Sequence, residues 1–259
     1  MLTSPIAVPS PEPAPLSLVG VGPGDPELLT LAAVRAIRAA ATVAYPVPRI
    51  EADSMAAGIA AAWIRPRQRR LPLLFPMVAE AGPRREAWQA AAAALAAAVA
   101  EGGPVVLLCE GDASLYASCS YVLLALAERQ PAWPLRVIPG VTAVAAAAAA
   151  ASSQGLPWPL ALQNEALLIR PCPDQAADLE ALIARAAAER TVLALLKLGW
   201  RWDWVRPLLE RRGLLEQALF AQRVGWPDQR IAPAAAVAAA QQPYFSLLLL
   251  RQSWPAVLP

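Results

Sequence analysis

Three short apolar runs end in residues that can contact a ligand. "LSLVGVGPGDPELLT" carries Gly20, Gly22 and Gly24 with Asp25 and Pro26 behind them. "PVVLLCEGDASLYAS" ends in Glu110, Gly111 and Asp112. "LRVIPGVTAVAAA" turns at Pro139 and Gly140 into Thr142 and Ala143. Open α/β sheets place their ligand crevices at the carboxyl ends of strands, and glycine there lets a ligand approach the backbone. Gly111 permits such an approach. Asp112 can accept hydrogen bonds from a ligand or cap the next helix, with Leu115 and Tyr116 as core. The small residues after Thr142 allow a flat ligand near the backbone, or simply tight helix packing.

The first turn has three possible occupants: nucleotide phosphates, another small ligand, or nothing beyond the turn. Gly20 and Gly22 fit the opening of a dinucleotide fingerprint, but its third glycine is replaced by Asp25, whose carboxylate repels a pyrophosphate. The acidic residue expected about 20 positions further on is absent, since Tyr45 and Pro46 stand there. There is no G-K-[ST] either. A local reading suffices, with Asp25 as the cap of a helix and Pro26 at its first position.

Composition excludes several chemistries. The chain has no histidine, which removes the commonest general base and the commonest metal ligand. Its three cysteines, Cys109, Cys119 and Cys172, are odd in number and lack C-x-x-C spacing, so neither a disulfide framework nor a zinc site is expected. No metal ligand set is assigned. Lys197 is the only lysine and the net charge is +2, too slight to announce nucleic acid.

The elements that must position these residues read as strands alternating with helices. "LSLVGVG", "ATVAYPVP", "PVVLLCEGD", "LRVIPGV", "TVLALLKLG" and "YFSLLLLRQ" are strand-like, and most are apolar enough to be buried on both faces. This predicts an α/β architecture with largely parallel sheets. Hydrophobic residues make up 57% of the 259, but alanine inflates the figure. "WQAAAAALAAAVA" and "VTAVAAAAAAAS" read as buried or half-buried alanine helices, since no run reaches the roughly 20 large apolar residues of a membrane span. Residues 1–15 form a proline-rich leader expected to be disordered and unlike a secretory signal, which points to the cytoplasm. The two prolines of "ERQPAWPLR" suggest a boundary between domains 16–131 and 132–259.

Together the turns resemble the tetrapyrrole methylase family. "VGVGPGDPELLTLAAVRAI", "FPMV", "EGDASLYAS", "VIPGVTA", "LALLKLG", "AQRVGWPDQRI" and "YFSLLLL" follow that family's order and spacing from about Leu16 to the last strand. "VAYPVP", "FPMV" and "LLKLG" are similar to its C-20 branch. The resemblance implies two α/β domains with a ligand cleft between them, usually in a homodimer. It also implies methylation of precorrin-2, or its cobalt form, at C-20 in cobalamin biosynthesis, with S-adenosylmethionine as methyl donor. Carried over by motif, the donor meets Pro23, Glu110, Gly111, Asp112, Leu115, Thr142, Ala143, Leu196 and Gly225. Asp25 is no obstacle to a sulfonium. Two positions depart from the family pattern: Ala113 replaces a usual proline, and Ala32 a frequent lysine.

On this reading catalysis comes mainly from holding the nucleophilic ring carbon and the methyl group about 3 to 3.5 Å apart and in line. The departing proton can leave through ring tautomers and water, and if a side chain helps, Asp112 and Tyr116 are the candidates. The carboxylate-rich substrate calls for arginines, and "WIRPRQRRLPLLFPM" supplies Arg65, Arg67, Arg69 and Arg70, with Arg84 and Arg85 beyond. Arg69 and Arg70 are the expected contacts; the competing reading is a solvated charged loop. Another tetrapyrrole methylase, a non-catalytic tetrapyrrole binder of this fold, and an RNA ribose methylase are the alternatives. The scarcity of lysine disfavours the last. No nucleic-acid or membrane partner is expected.

Overall fold

The computed structural model describes residues 15–129 and 131–255. The leader expected over 1–15 thus lies, except for Pro15, outside the described residues. The described residues divide into two compact units, one of residues up to 22 with 26–140 and the other of residues 23–25 with those from 141 on.

The first unit holds β1 (Leu16–Gly20), β2 (Thr42–Val47), β3 (Arg69–Leu74), β4 (Val105–Cys109) and β5 (Leu135–Ile138). Their order is β3-β2-β4-β1-β5, and every pairing is parallel. Helices α1 (Leu31–Ala39), α2 (Met55–Ile59), α3 (Ala81–Ala100) and α4 (Cys119–Glu128) complete it. β1 and β4 are buried throughout, as central parallel strands must be. Because β5 pairs with β1, the first unit runs on to Gly140, past the boundary expected at 131/132.

The expected helix start at Asp25 and Pro26 is corrected. Pro26–Leu28 forms only a short 3-10 turn, and α1 begins at Leu31. Thr30 is its cap, accepting from the Ala33 amide at 3.1 Å. At the other end of α1, the buried Gln68 amide donates to the carbonyls of Ile37 (2.6 Å) and Ala40 (2.7 Å). The Ile37 carbonyl otherwise has only a long 3.3 Å contact from the Ala40 amide and the Ala40 carbonyl lies past the helix, so Gln68 caps this end and anchors the arginine-rich segment around it.

The second unit holds α5 (Ala143–Ser153), β6 (Ala166–Pro171), α6 (Ala176–Ala188), β7 (Thr191–Leu196), α7 (Trp202–Arg211), β8 (Ala218–Gln222), β9 (Arg230–Pro233) and β10 (Ser246–Leu250). The sheet order is β6-β7-β10-β8-β9. Only β6 and β7 pair in parallel; β10 is antiparallel to β7 and β8, and β8 to β9. The expectation of largely parallel sheets therefore fails here. Parallel neighbours need a crossover of a dozen or more residues, usually through a helix, whereas β8 reaches β9 through residues 223–229 alone. The core is built on Trp202 and Phe220, both fully buried with ring centroids 5.1 Å apart. Each such side chain stabilises the fold by about 1.5 to 3 kcal/mol through burial.

The alanine-rich helices are half-buried. α5 buries Val144, Ala146, Ala147, Ala148 and Ala151, and α3 buries Ala91, Ala92, Leu95 and Ala98. Among the described residues no helix is long and apolar enough to cross a membrane.

Candidate active site

In the first unit, three glycines from three strand ends meet, and two of them, Gly20 and Gly140, have no room for a methyl group. A Cβ on Gly20 would lie 2.6 Å from the Gly140 nitrogen, and one on Gly140 would lie 2.2 Å from the Gly111 oxygen. Gly22 and Gly111 exchange backbone hydrogen bonds at 3.2 and 2.8 Å. Gly111 has φ +66°, where glycine is favoured, yet the side its Cβ would occupy is open, with nothing within 4 Å. The knot fixes the backbone while leaving one face of Gly111 approachable.

Asp112 holds this knot together. Its Oδ2 accepts from the Gly140 amide at 2.9 Å, and its Oδ1 from the Ser114 amide at 2.9 Å and from the Ser114 hydroxyl. Burial alone would raise its pKa, but hydrogen bonds from the Ser114 hydroxyl and the amides of Gly140, Ser114 and Leu115 together hold it below the ordinary carboxylate value. Asp112 is thus an ionised acceptor and a poor base. It does not cap α4, which starts at Cys119. Glu110, two residues earlier, is pushed up to about 6 by burial. Leu115 is half-buried, while Tyr116 is exposed on a left-handed turn (φ 53°) and so is not core. Burial, with Cys119 alongside, holds the Cys109 thiol well above its usual value, so it offers no thiolate.

In the second unit, Pro23 and Gly225 come together through Trp226. The indole Nε1 donates to the Pro23 carbonyl at 2.9 Å. A Cβ on Gly24 would lie 2.6 Å from the same ring, and one on Gly225 (φ +82°) 2.5 Å from the Asp25 nitrogen. The first turn is therefore wedged against the "RVGWP" loop, a contact that glycines at both positions permit. Thr142 caps α5, accepting from the Ala145 amide at 3.2 Å, and Ala143 is its first residue. Leu196 is the last residue of β7 and half-buried.

Arg69 and Arg70 are not brought to the glycine knot. Arg69 is level with Thr42, Val105 and Leu16, at the amino ends of the strands, whereas Gly20 and Cys109 mark the carboxyl ends. Four residue steps at ~3.3 Å each separate the two levels, roughly 13 Å. Both arginines are exposed, and Arg69 pairs with Glu101. Arg84 and Arg85 follow β3 and stand nearer the carboxyl side in sequence. The Arg84 side chain donates to the carbonyls of Ala79 and Glu80 and lies 5.9 Å from the Trp88 ring centroid.

Two features escape sequence reading: the mutual packing of Gly20, Gly111 and Gly140, and the seat of Trp226 on Pro23. Each glycine stands at a visible strand end, but only the tertiary fold shows which ends meet.

A parallel five-stranded sheet with glycine-rich carboxyl ends and a mixed second sheet define a protein of the α/β class. The chain belongs to the family described as Tetrapyrrole (Corrin/Porphyrin) Methylases, whose model matches residues 15–239. It is 35% identical over 241 residues to the cobalamin biosynthesis protein CobIJ of Mycobacterium bovis, a match covering 90% of this chain and 45% of the relative. The chain thus spans about half the length of that relative. It is 32% identical over 240 residues to the precorrin-2 C(20)-methyltransferase of a Sinorhizobium species, covering 90% of this chain and 93% of the other. Among solved structures, it superposes on the uroporphyrin-III C-methyl transferase of Thermus thermophilus complexed with S-adenosyl homocysteine. That match has a TM-score of 0.59 and 25% identity, over 92% of this chain and 97% of the other.

Proposed function

We propose that this protein transfers a methyl group from S-adenosylmethionine to carbon C-20 of precorrin-2, or of its cobalt form, in cobalamin biosynthesis. The likeness to a precorrin-2 C(20)-methyltransferase along nearly the whole of both chains carries the reading. The donor's chemistry fits the residues present. Gly111 leaves an open backbone face, and the neighbouring Glu110 carboxyl suits a hydroxyl or a cationic group. Proposed contacts are Pro23, Glu110, Gly111, Asp112, Leu115, Thr142, Ala143, Leu196 and Gly225.

When bound, the donor supplies an electrophilic methyl group, so the protein need only orient and exclude. Preorganised turns lower the barrier by fixing reacting atoms in line. Asp112 acts here by holding the glycine knot, since both its oxygens are engaged. Tyr116, exposed beside it, remains the side chain proposed to meet the substrate or its departing proton. Arg84 and Arg85 replace Arg69 and Arg70 as the proposed arginines for substrate carboxylates, because they follow the carboxyl end of β3. A homodimeric, cytoplasmic enzyme with a small-molecule substrate completes the reading; the slight net charge of +2 disfavours a nucleic-acid partner, and no helix among the described residues is long and apolar enough to cross a membrane.

Calorimetry with S-adenosylhomocysteine tests the cofactor assignment. Saturable binding is expected, with loss in Gly111→Arg, whose side chain fills the open face. Unchanged binding by that variant places the cofactor elsewhere. Transfer of a labelled methyl group to precorrin-2, with and without cobalt, tests the reaction.

A further inference from the structure

The chain's only lysine stands in a conformation that side chains avoid. Lys197, half-buried just past the end of β7, has φ +58°, in the left-handed region. The turn imposing this is fastened on several sides. The Arg201 Nη1 donates to the Lys197 carbonyl at 2.9 Å. The Leu198 and Gly199 amides donate to the Ser246 carbonyl and hydroxyl, each at 3.1 Å, and the Gln242 amide to the Gly199 carbonyl at 3.1 Å. Ser246 Oγ in turn donates to the Pro243 carbonyl at 2.7 Å. Residues 197–199 and 242–246 therefore form one fixed platform within the second unit.

That platform presents aromatic surface to solvent. Trp200, Tyr244 and Phe245 are 50, 47 and 43% exposed. The Lys197 ammonium lies 5.7 Å from the Tyr244 ring centroid, and Tyr244 meets Phe245 edge to face at 5.2 Å. Neighbouring cations are already engaged: Arg201 by Asp174 at 2.8 Å and Arg223 by Asp228 at 2.7 Å. Among the described residues Lys197 has no carboxylate partner. Lys197 thus combines a left-handed backbone at a strand's carboxyl end with a place next to Leu196, a proposed cofactor contact, and strained backbone of this kind clusters at ligand sites.

We propose that Lys197 binds a side-chain carboxylate of the tetrapyrrole, whose flat ring system lies against Tyr244 and Phe245. An ammonium beside exposed aromatic rings complements a conjugated ring bearing carboxylate arms. The inference rests on the tetrapyrrole reading above and adds to Arg84 and Arg85 one residue of the second unit that grips that substrate.

The test compares the full chain with Lys197→Gly and Lys197→Arg. Glycine removes the ammonium and suits the left-handed backbone, so its thermal midpoint is expected to hold or rise. Uroporphyrin III binding is read by quenching of tryptophan fluorescence, and steady-state kinetics are measured on precorrin-2. In Lys197→Gly the porphyrin Kd and the precorrin-2 KM rise at least about tenfold, as loss of a charge-assisted contact predicts. The salt dependence flattens, kcat and S-adenosylhomocysteine affinity hold, and Lys197→Arg recovers most of the loss. If Lys197→Gly binds the porphyrin as tightly as the parent, or the parent binds none, the proposal is overturned. If the parent binds it through Lys197 yet methylates neither form of precorrin-2, the reaction assignment fails and the carboxylate site stands.

Discussion

Glu110 and Asp112 lie two residues apart and hold protons oppositely. Burial lifts Glu110 to about 6, while amide and hydroxyl donors keep Asp112 low despite its own desolvation. Because the folded state binds the Glu110 proton more tightly than the unfolded chain does, this group's contribution to stability is full below its unfolded pKa. It falls as pH rises through about 6, by about 2 kcal/mol in total. Denaturant titrations from about pH 4 to pH 8 should show that loss, and Glu110→Gln should flatten it. Asp112 has the reverse sign: it stabilises above its unfolded pKa and loses that contribution as pH falls. Asp112→Asn should weaken the fold by about 1 to 3 kcal/mol, since one donor among Gly140 and Ser114 then faces an NH2 group. The position of both carboxyls at a strand end was legible, because β4 is an unbroken apolar run. Their ionisation was not, since Asp112 depends on an amide 28 residues away.

At the scale of elements, the glycines separate two kinds of constraint. Gly140→Ala places a methyl group 2.2 Å from a backbone oxygen, whereas Gly111→Ala meets open space and only the cost of φ +66°. Gly140→Ala is therefore expected to lose at least about 1 to 3 kcal/mol by overpacking against backbone, and Gly111→Ala about 1 to 2 kcal/mol. Thermal melts with S-adenosylhomocysteine titrations measure both, and the first variant should also lose cofactor binding. The six strands read from sequence all appear, and all but β5 lie inside their sheets. Among the strands not recognised, β3, β6 and β9 are sheet edges, with weaker apolar patterning, and β3 carries Pro72, which an edge tolerates. Asp25 and Pro26 carry a valid helix-start signal, but the wedge of Gly24 and Gly225 around Trp226 holds that turn, and Thr30 starts the helix instead.

Across the whole molecule, stability rests on two separate cores and on a buried ion pair in the second unit. Arg251 and Glu165, 1 and 7% exposed at their side chains, pair at 2.9 Å, and Arg251 also donates to the Pro159 carbonyl. Removing one partner strands a buried charge, so Arg251→Met is expected to cost about 3 to 5 kcal/mol in denaturant unfolding. Glu165→Gln together with Arg251→Met should recover much of it. Neither partner could be paired from sequence, 86 positions apart, whereas the α/β class and family were legible from the glycine-ended strands. Methyl transfer to one ring carbon is tested most directly by supplying precorrin-2, with and without cobalt, together with a donor carrying a 13C methyl group. Carbon NMR of the product should show one labelled methyl at C-20. A label at any other carbon, or none in either form, contradicts the account.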